Sequence, residues 1–236
     1  MDLLKIARRV ASSHKRVSLD SILDVVKQQC PENLRNDIGK FLGRGSFGEV
    51  YEIDGGDKVI KIAVAGSGSF STPESEANRY LDKIKALSGL NTDVFVGVYD
   101  YGILCNVDPP YPNRKGVAYY YVMDKLIKVP DVEAKIAAKT LEDLFDIGNQ
   151  GIGEERENNI NRYLTFKEKV NKNKGDIDED GPNPIAKAYD LYKRMRASRV
   201  RHEDIHKDNI MQDADGKYKL IDLEASKILN NRKFSI

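Results

Sequence analysis

The sequence predicts an α+β fold, and three observations lead to that prediction. Alternating apolar residues between positions 41 and 63 predict antiparallel strands that are joined by glycine-containing turns. Apolar residues at helical spacing predict helices over 73–87, 134–145 and 184–196. A short hairpin is predicted over 210–221, with its turn at 213–216 and Gly216 where a positive φ is needed. The sheet therefore belongs to the N-terminal part of the chain and most helices to the C-terminal part.

Residues 41–51 form a glycine-rich segment, Phe-Leu-Gly-Arg-Gly-Ser-Phe-Gly-Glu-Val-Tyr, which fits the pattern G-x-G-x-x-G-x-V. Glycines in such a hairpin let backbone amides approach a phosphate without a Cβ in the way. The same glycines could belong to a dinucleotide fingerprint, but a helix should then follow them. Residues 49–53 instead alternate as a strand, which favours a phosphate-binding hairpin.

Lys61 is a single charged residue in the apolar strand Val59-Ile60-Lys61-Ile62-Ala63. A lysine there is costly unless it is paired, so a nearby acid is expected. The following helix begins with Thr72 as N-cap and Pro73 at its first position. Glu76 is the predicted partner of Lys61, and Glu74 on the same helix is the alternative.

The segment His202–Asn209 places Asp204 and Asn209 five residues apart on one loop, and the hairpin that follows leads to Asp222. Phosphoryl transfer needs a carboxylate to orient the attacking hydroxyl and oxygen ligands to hold Mg²⁺ against the phosphates. These three residues supply both requirements. A surface hairpin with ordinary solvated acids is the alternative interpretation of the segment taken alone.

Taken together, the motifs occur in the order found in the protein-kinase-like fold, which the chain resembles over residues 38–226. The resemblance implies an antiparallel-sheet N-lobe and a truncated, mainly helical C-lobe, with ATP and Mg²⁺ as cofactors. It implies that Asp204 is the catalytic aspartate, that Lys61 contacts the α- and β-phosphates, and that Asn209 and Asp222 hold Mg²⁺. The remaining residues that it assigns to the nucleotide are Gly43, Gly45, Ser46, Gly48, Val50 and Glu76.

Residues 120–126, Tyr-Tyr-Val-Met-Asp-Lys-Leu, are similar to the fifth strand and hinge of that fold. The resemblance makes Met123 the gatekeeper and directs the Asp124 carbonyl and the Leu126 amide toward adenine. A buried aromatic strand without a nucleotide role is the alternative interpretation.

Several residues depart from the usual kinase pattern. Leu223 and Glu224 replace the Phe and Gly of D-F-G, so a Phe-based switch is not expected. His206 stands where typical eukaryotic kinases have Lys, a feature similar to aminoglycoside phosphotransferases, and Lys207 is one position away from that site. The chain ends at Ile236, which leaves no A-P-E motif and no activation loop. The catalytic loop and this short end resemble the small Ser/Thr kinases of tailed phages.

Three segments follow from this organisation: an N-terminal extension over 1–37, an N-lobe over 38–126 and a C-lobe over 127–236. The extension contains two amphipathic helices, and packing on the parent domain is favoured over a partner-binding arm. In the C-lobe, residues 148–161 are polar and contain glycines, and a short helix is predicted over 162–170.

Composition is that of an ordinary cytoplasmic enzyme. The net charge of +1 favours neither nucleic acid nor membrane surfaces as partners. No apolar run reaches the roughly 18 residues of a membrane span. Two cysteines without a spacing motif, Cys30 and Cys105, predict neither a disulfide framework nor a zinc site.

The predicted function is therefore a minimal Mg²⁺- and ATP-dependent Ser/Thr protein kinase, with protein substrates that include the chain itself. Two alternatives stay open. One is a small-molecule hydroxyl kinase, which His206 favours. The other is a non-catalytic nucleotide-binding pseudokinase that acts as a binding module, which Leu223 and Glu224 favour.

Overall fold

A computed structural model describes residues 22–29, 32, 36–45, 48–53, 55–66, 71–89, 93–107, 116–150, 153–174 and 183–229. Within these ranges the protein contains both helices and strands and has a five-stranded antiparallel sheet, which confirms the α+β class. The first predicted helix of the N-terminal extension, and Ser46 of the glycine-rich segment, lie outside the described residues.

The described helices are α1 (Ile22–Gln29), α2 (Pro73–Ser88), α3 (Asp131–Gln150), α4 (Gly153–Lys174) and α5 (Pro184–Ala197). The strands are β1 (Ile38–Gly45), β2 (Gly48–Ile53), β3 (Lys58–Gly66), β4 (Val98–Val107), β5 (Gly116–Asp124), β6 (Ile127–Lys128), β7 (Val200–His202), β8 (Ile210–Gln212), β9 (Tyr218–Leu220) and β10 (Ser226–Ile228). There are two 3₁₀ turns. Lys207–Asn209 follows the candidate catalytic Asp204, and Leu223–Ala225 follows the candidate metal ligand Asp222.

Contacts divide the chain into two compact units. The first unit comprises Met1–Asn78 and Asp100–Val122, and the second comprises Arg79–Tyr99 and Met123–Ile236.

The large sheet has the strand order β1-β2-β3-β5-β4, with β1 and β4 at its edges. Helix α1 packs on one of its faces, where Leu23 and Val26 join a buried cluster that includes Tyr51, Ile60 and Ile62. Burial of apolar side chains is the main stabilising term for such a contact. The second helix of the extension therefore packs on the parent domain, as the sequence favoured.

In the second unit, α3 and α5 pack against each other, with the Phe145 and Tyr192 rings in an edge-to-face contact at 5.1 Å. Helix α5 begins as predicted, because Pro184 occupies its first turn and the Asn183 side chain accepts hydrogen bonds from the first free amides. The sequence identified only part of two other helices, since α3 runs to Gln150 and α4 covers Gly153–Lys174.

Two general features complete the description. None of the described helices has the length and apolar character needed to cross a bilayer. Cys105, half-buried on β4, is disulfide-bonded, whereas the sequence predicted no disulfide framework. The other cysteine of the chain, Cys30, lies outside the described residues.

Candidate functional site

The glycine-rich hairpin places its predicted nucleotide residues on one face of the sheet. In the β1–β2 pairing Gly43 lies opposite Val50 and Gly45 opposite Gly48, and in the β2–β3 pairing Val50 lies opposite Lys61. Residues directly opposite each other in an antiparallel pair project to the same face. The strand register therefore brings all five residues to the face opposite the one that α1 covers.

The structure gives different reasons for glycine at the three positions of the hairpin. A Cβ at Gly48 would lie 2.4 Å from the carbonyl oxygen of Ile62 and 2.8 Å from the Cβ of Ala63, so close packing of β2 on β3 requires glycine. A Cβ at Gly43 or Gly45 would meet no atom of the described chain within 4 Å. Packing therefore explains Gly48, whereas Gly43 and Gly45 leave backbone accessible on the shared face.

Lys61 is buried on this face, with 6% of its surface exposed, and its ammonium lies 5.5 Å from the centre of the Tyr121 ring. A cation over an aromatic face recovers part of the solvation that burial removes. On α2, Glu76 is half-buried and accepts a hydrogen bond of 2.7 Å from the Ser71 hydroxyl, whereas Glu74 is exposed. The position of Glu76 fits a partner of Lys61 better, and the pair itself stays a prediction.

The predicted hinge is fixed by one carboxylate. Asp124 accepts hydrogen bonds from the amide of Gly97 at 3.0 Å and from the hydroxyl of Tyr99, and its own amide donates to the Gly97 carbonyl. Met123 is buried and Leu126 is half-buried. The adenine contacts assigned to Asp124 and Leu126 stay predictions, and the buried aromatic strand stays the alternative.

In the second unit, Asn209 connects the candidate catalytic and metal segments. Its Nδ2 atom donates to the backbone carbonyl of Asp204 at 2.9 Å and lies 2.9 Å from the Nε2 atom of His206. The main-chain carbonyl of Asn209 accepts a hydrogen bond from the amide of Ile221, the residue before Asp222. Because the Nδ2 atom donates to the Asp204 carbonyl, the Oδ1 atom is the acceptor of this buried side chain.

His202 is the buried scaffold of the same segment. Its Nδ1 atom accepts from the amide of Asp204 at 3.2 Å, and its Nε2 atom lies 2.9 Å from the carbonyl oxygen of Ile221. Burial lowers the pKa of His202 below its usual value, against the opposing effect of the Ile221 carbonyl. The imidazole is therefore neutral, and it links the Asp204 segment to Ile221.

Asp222 adopts a left-handed conformation with φ 63° and ψ 58° between β9 and the second 3₁₀ turn. Asp tolerates this region better than most residues other than Gly, but the conformation is still strained and typical of functional positions. The next two residues are buried, and the main-chain carbonyl of Glu224 accepts a hydrogen bond of 2.9 Å from Lys83 of α2. The left-handed residue thus sits between a strand and an anchored turn.

The oxygen ligands fit Mg²⁺ in one respect. No group of three or more His, Cys, Asp or Glu side chains that could hold a metal occurs in the described ranges. Mg²⁺ is usually held by one or two protein oxygens together with phosphates and waters. An amide oxygen and a carboxylate, as on Asn209 and Asp222, are donor types that Mg²⁺ accepts, and their role as its ligands stays a prediction.

The ammonium of Lys207 lies 2.9 Å from a carboxylate oxygen of Asp131, at the start of α3. This ion pair occupies the ammonium, and no phosphate contact is assigned to it. The hydrogen bond with Asp131 raises the pKa of Lys207, and the same contact lowers the pKa of Asp131. Asp131 is exposed and Lys207 is partly exposed, so the pair contributes little to stability.

Three polar residues to which the sequence assigned no role make side-chain hydrogen bonds or close polar contacts in the structure: His206, Lys83 and Glu49. Glu49 carried a signal, since it occupies a core-facing position of an alternating strand. Lys83 carried none, because its partner Glu224 is 141 residues away, whereas His206 was noted only as a departure from the kinase pattern.

No family model matches the chain, and no curated protein matches it significantly. The chemistry of the residues and their geometry are therefore the basis for assigning a function.

Proposed function

We propose that this chain is a Mg²⁺- and ATP-dependent phosphotransferase with a two-lobed, protein-kinase-like fold, acting on Ser or Thr hydroxyls of proteins. The observation that supports it most is the hydrogen-bonded network of the second unit. In that network Asn209 contacts the Asp204 segment directly and is bonded to the residue before Asp222. These contacts join the segments that carry the carboxylate and the two oxygen ligands that phosphoryl transfer needs.

Each residue has one task in the proposed reaction. The backbone of the β1–β2 hairpin and the Lys61 ammonium would bind the phosphates, and Asn209 and Asp222 would hold Mg²⁺. The metal would supply charge stabilisation on the phosphate oxygens. Asp204 orients the acceptor hydroxyl, whose oxygen forms a bond to the γ-phosphorus while the bond from that phosphorus to the β–γ bridging oxygen breaks. ADP leaves, and the hydroxyl proton passes to the Asp204 carboxylate.

A protein acceptor agrees with the exposure of the catalytic segment. The side chain of Asp204 is 53% exposed and that of His206 is 45% exposed. A hydroxyl on a flexible protein segment can reach an exposed carboxylate, whereas small acceptors are usually enclosed in a concave pocket.

The experiment is incubation of the pure protein with γ-labelled ATP and Mg²⁺, alone and with a cell lysate. Asp204→Ala and Asp222→Ala are the test variants. Asp215→Asn is the matched control, because Asp215 is an exposed acid in the turn of the β8–β9 hairpin. We expect label on Ser or Thr with wild type and control but with neither test variant, and we expect Asp204→Ala to bind ATP nearly as wild type does.

Two results would contradict the proposal. Transfer only to added small hydroxyl compounds would make the chain a small-molecule kinase. ATP binding without transfer to any acceptor would make it a nucleotide-dependent binding module.

A further inference from the structure

Glu49 is a completely buried carboxylate, with 0% of its surface exposed, to which the proposed reaction gives no task. It receives hydrogen bonds from Arg44 through Nε at 2.8 Å and through Nη2, and from the Tyr51 hydroxyl at 2.6 Å. The backbone amide of Leu23 in α1 donates to it at 3.4 Å. A buried carboxylate is tolerated only with such partners.

The Arg44–Glu49 contact lies at the centre of the glycine-rich hairpin. Arg44 pairs with Glu49 across the two strands, and the neighbouring cross-strand pairs are Gly43 with Val50 and Gly45 with Gly48. The contact projects to the face opposite the glycines, where it leaves their backbone accessible. It therefore fixes the separation of β1 and β2 at the positions where phosphate binding is proposed.

Strand β1 has few other constraints. It is an edge strand, most of its residues are exposed, and its pairing with β2 is irregular between Ile38 and Gly43. Segments with little burial and few neighbours open at low free energy. A charge-assisted, multiply bonded contact is among the stronger polar interactions that can hold such a segment.

Helix α1 completes the contact from outside the sheet. Its first-turn amide at Leu23 points to the carboxylate, an arrangement that the helix dipole favours. Its Leu23 and Val26 side chains are buried against Tyr51 and its neighbours. Glu49 thus connects the segment before the sheet to the glycine-rich hairpin.

We infer that Glu49 is a positioning residue for nucleotide binding, and that α1 supports nucleotide binding through its contact with Glu49. Together with Arg44, Tyr51 and α1, the carboxylate holds the hairpin backbone in the geometry that receives phosphates. This inference rests on the proposed function. The alternative is that Glu49 contributes only to stability. A substitution would then increase hydrogen exchange throughout the protein, whereas loss of a positioning residue increases it only in α1 and the hairpin.

The test compares Glu49→Gln and Arg44→Met with wild type and with Asp57→Asn, which removes an exposed charge in the β2–β3 turn. The Arg44 side chain is half-exposed, so its variant should fold even where Glu49→Gln is unstable. Hydrogen exchange is followed in peptides that cover residues 22–29, 38–53 and 184–197. Calorimetry gives the Kd for Mg²⁺-ATP, and steady-state assays give KM for ATP and kcat.

We expect faster exchange in 22–29 and 38–53, no change in 184–197, and a Kd and KM for ATP raised about tenfold, with kcat nearly unchanged. Asp57→Asn should match wild type in all measurements. Unchanged exchange in the first two segments, or a uniform increase in all three, would overturn the positioning role.

The outcome separates this inference from the proposed function. Wild-type protein that binds no nucleotide would overturn both. Wild-type protein that binds and transfers phosphate, with variants of unchanged Kd, would overturn this inference alone.

Discussion

The backbone amide of Asp204 donates a hydrogen bond of 3.2 Å to the Nδ1 atom of His202. Because Nδ1 is an acceptor, the ring proton lies on Nε2, which donates to the Ile221 carbonyl at 2.9 Å. One neutral, buried imidazole therefore joins the segment of the candidate catalytic aspartate to the residue before the candidate metal ligand.

This arrangement predicts a loss of stability on acidification. Burial lowers the pKa of His202 in the folded protein, whereas an unfolded histidine titrates near 6.5. Below about pH 6.5 the unfolded chain binds more protons, so the free energy of unfolding falls by at most about 1.4 kcal/mol per pH unit for this group. Urea unfolding at pH 7.5, 6.5 and 5.5 should show a steeper loss for wild type than for His202→Gln. Parallel pH dependences would contradict the neutral, buried state of the ring.

The contact between His206 and Asn209 predicts a change in metal dependence. His206→Ala removes the ring whose Nε2 atom lies 2.9 Å from the Nδ2 atom of Asn209, so the orientation of the Asn209 side chain is less well defined. Substitution of groups that orient a metal ligand typically weakens metal binding about 10- to 100-fold. We expect the free Mg²⁺ concentration for half-maximal transfer to rise about tenfold at saturating ATP, with Asp215→Asn as the control. An unchanged Mg²⁺ dependence would show that His206 does not orient the ligand.

The left-handed conformation of Asp222 allows stability and activity to be separated. Asp222→Gly relieves the steric cost of a positive φ, whereas Asp222→Ala keeps a Cβ and loses the polar group that tolerates this region. We expect Asp222→Gly to be more stable than Asp222→Ala by about 1 kcal/mol in urea unfolding. Both variants should lack phosphotransfer, since both lack the carboxylate. Equal stabilities would argue against backbone strain at this position.

The sequence predicted those parts of the fold that local chemistry controls. The hairpin after Asn209 is confirmed, with strands β8 and β9 and a turn in which Gly216 has φ 74°. The start of α5 at residue 184 is confirmed for the same reason, because Pro184 and the Asn183 cap both act within one turn of the helix. Helix α4 was only partly recognised, since its 22 residues are mostly polar and give a weak helical period.

The parts that the sequence did not predict depend on contacts between distant positions. The carboxylate of Glu49 binds the Leu23 amide 26 residues away, and Lys83 binds the Glu224 carbonyl 141 residues away. Residue types do not specify such partners. The candidate site residues were named from residue types at particular spacings, and their roles stay predictions.

The glycines of the hairpin provide a matched pair of substitutions. Gly48→Ala would place a Cβ 2.4 Å from the Ile62 carbonyl oxygen, a backbone atom that cannot move away cheaply, so we expect a loss of about 1–3 kcal/mol in the free energy of unfolding. Gly43→Ala meets no such obstacle within the described chain and should change stability by less than about 0.5 kcal/mol. If the open face receives phosphates, Gly43→Ala should instead weaken Mg²⁺-ATP binding in calorimetry. Destabilisation by both substitutions, or unchanged nucleotide binding by Gly43→Ala, would contradict the separate roles of the two glycines.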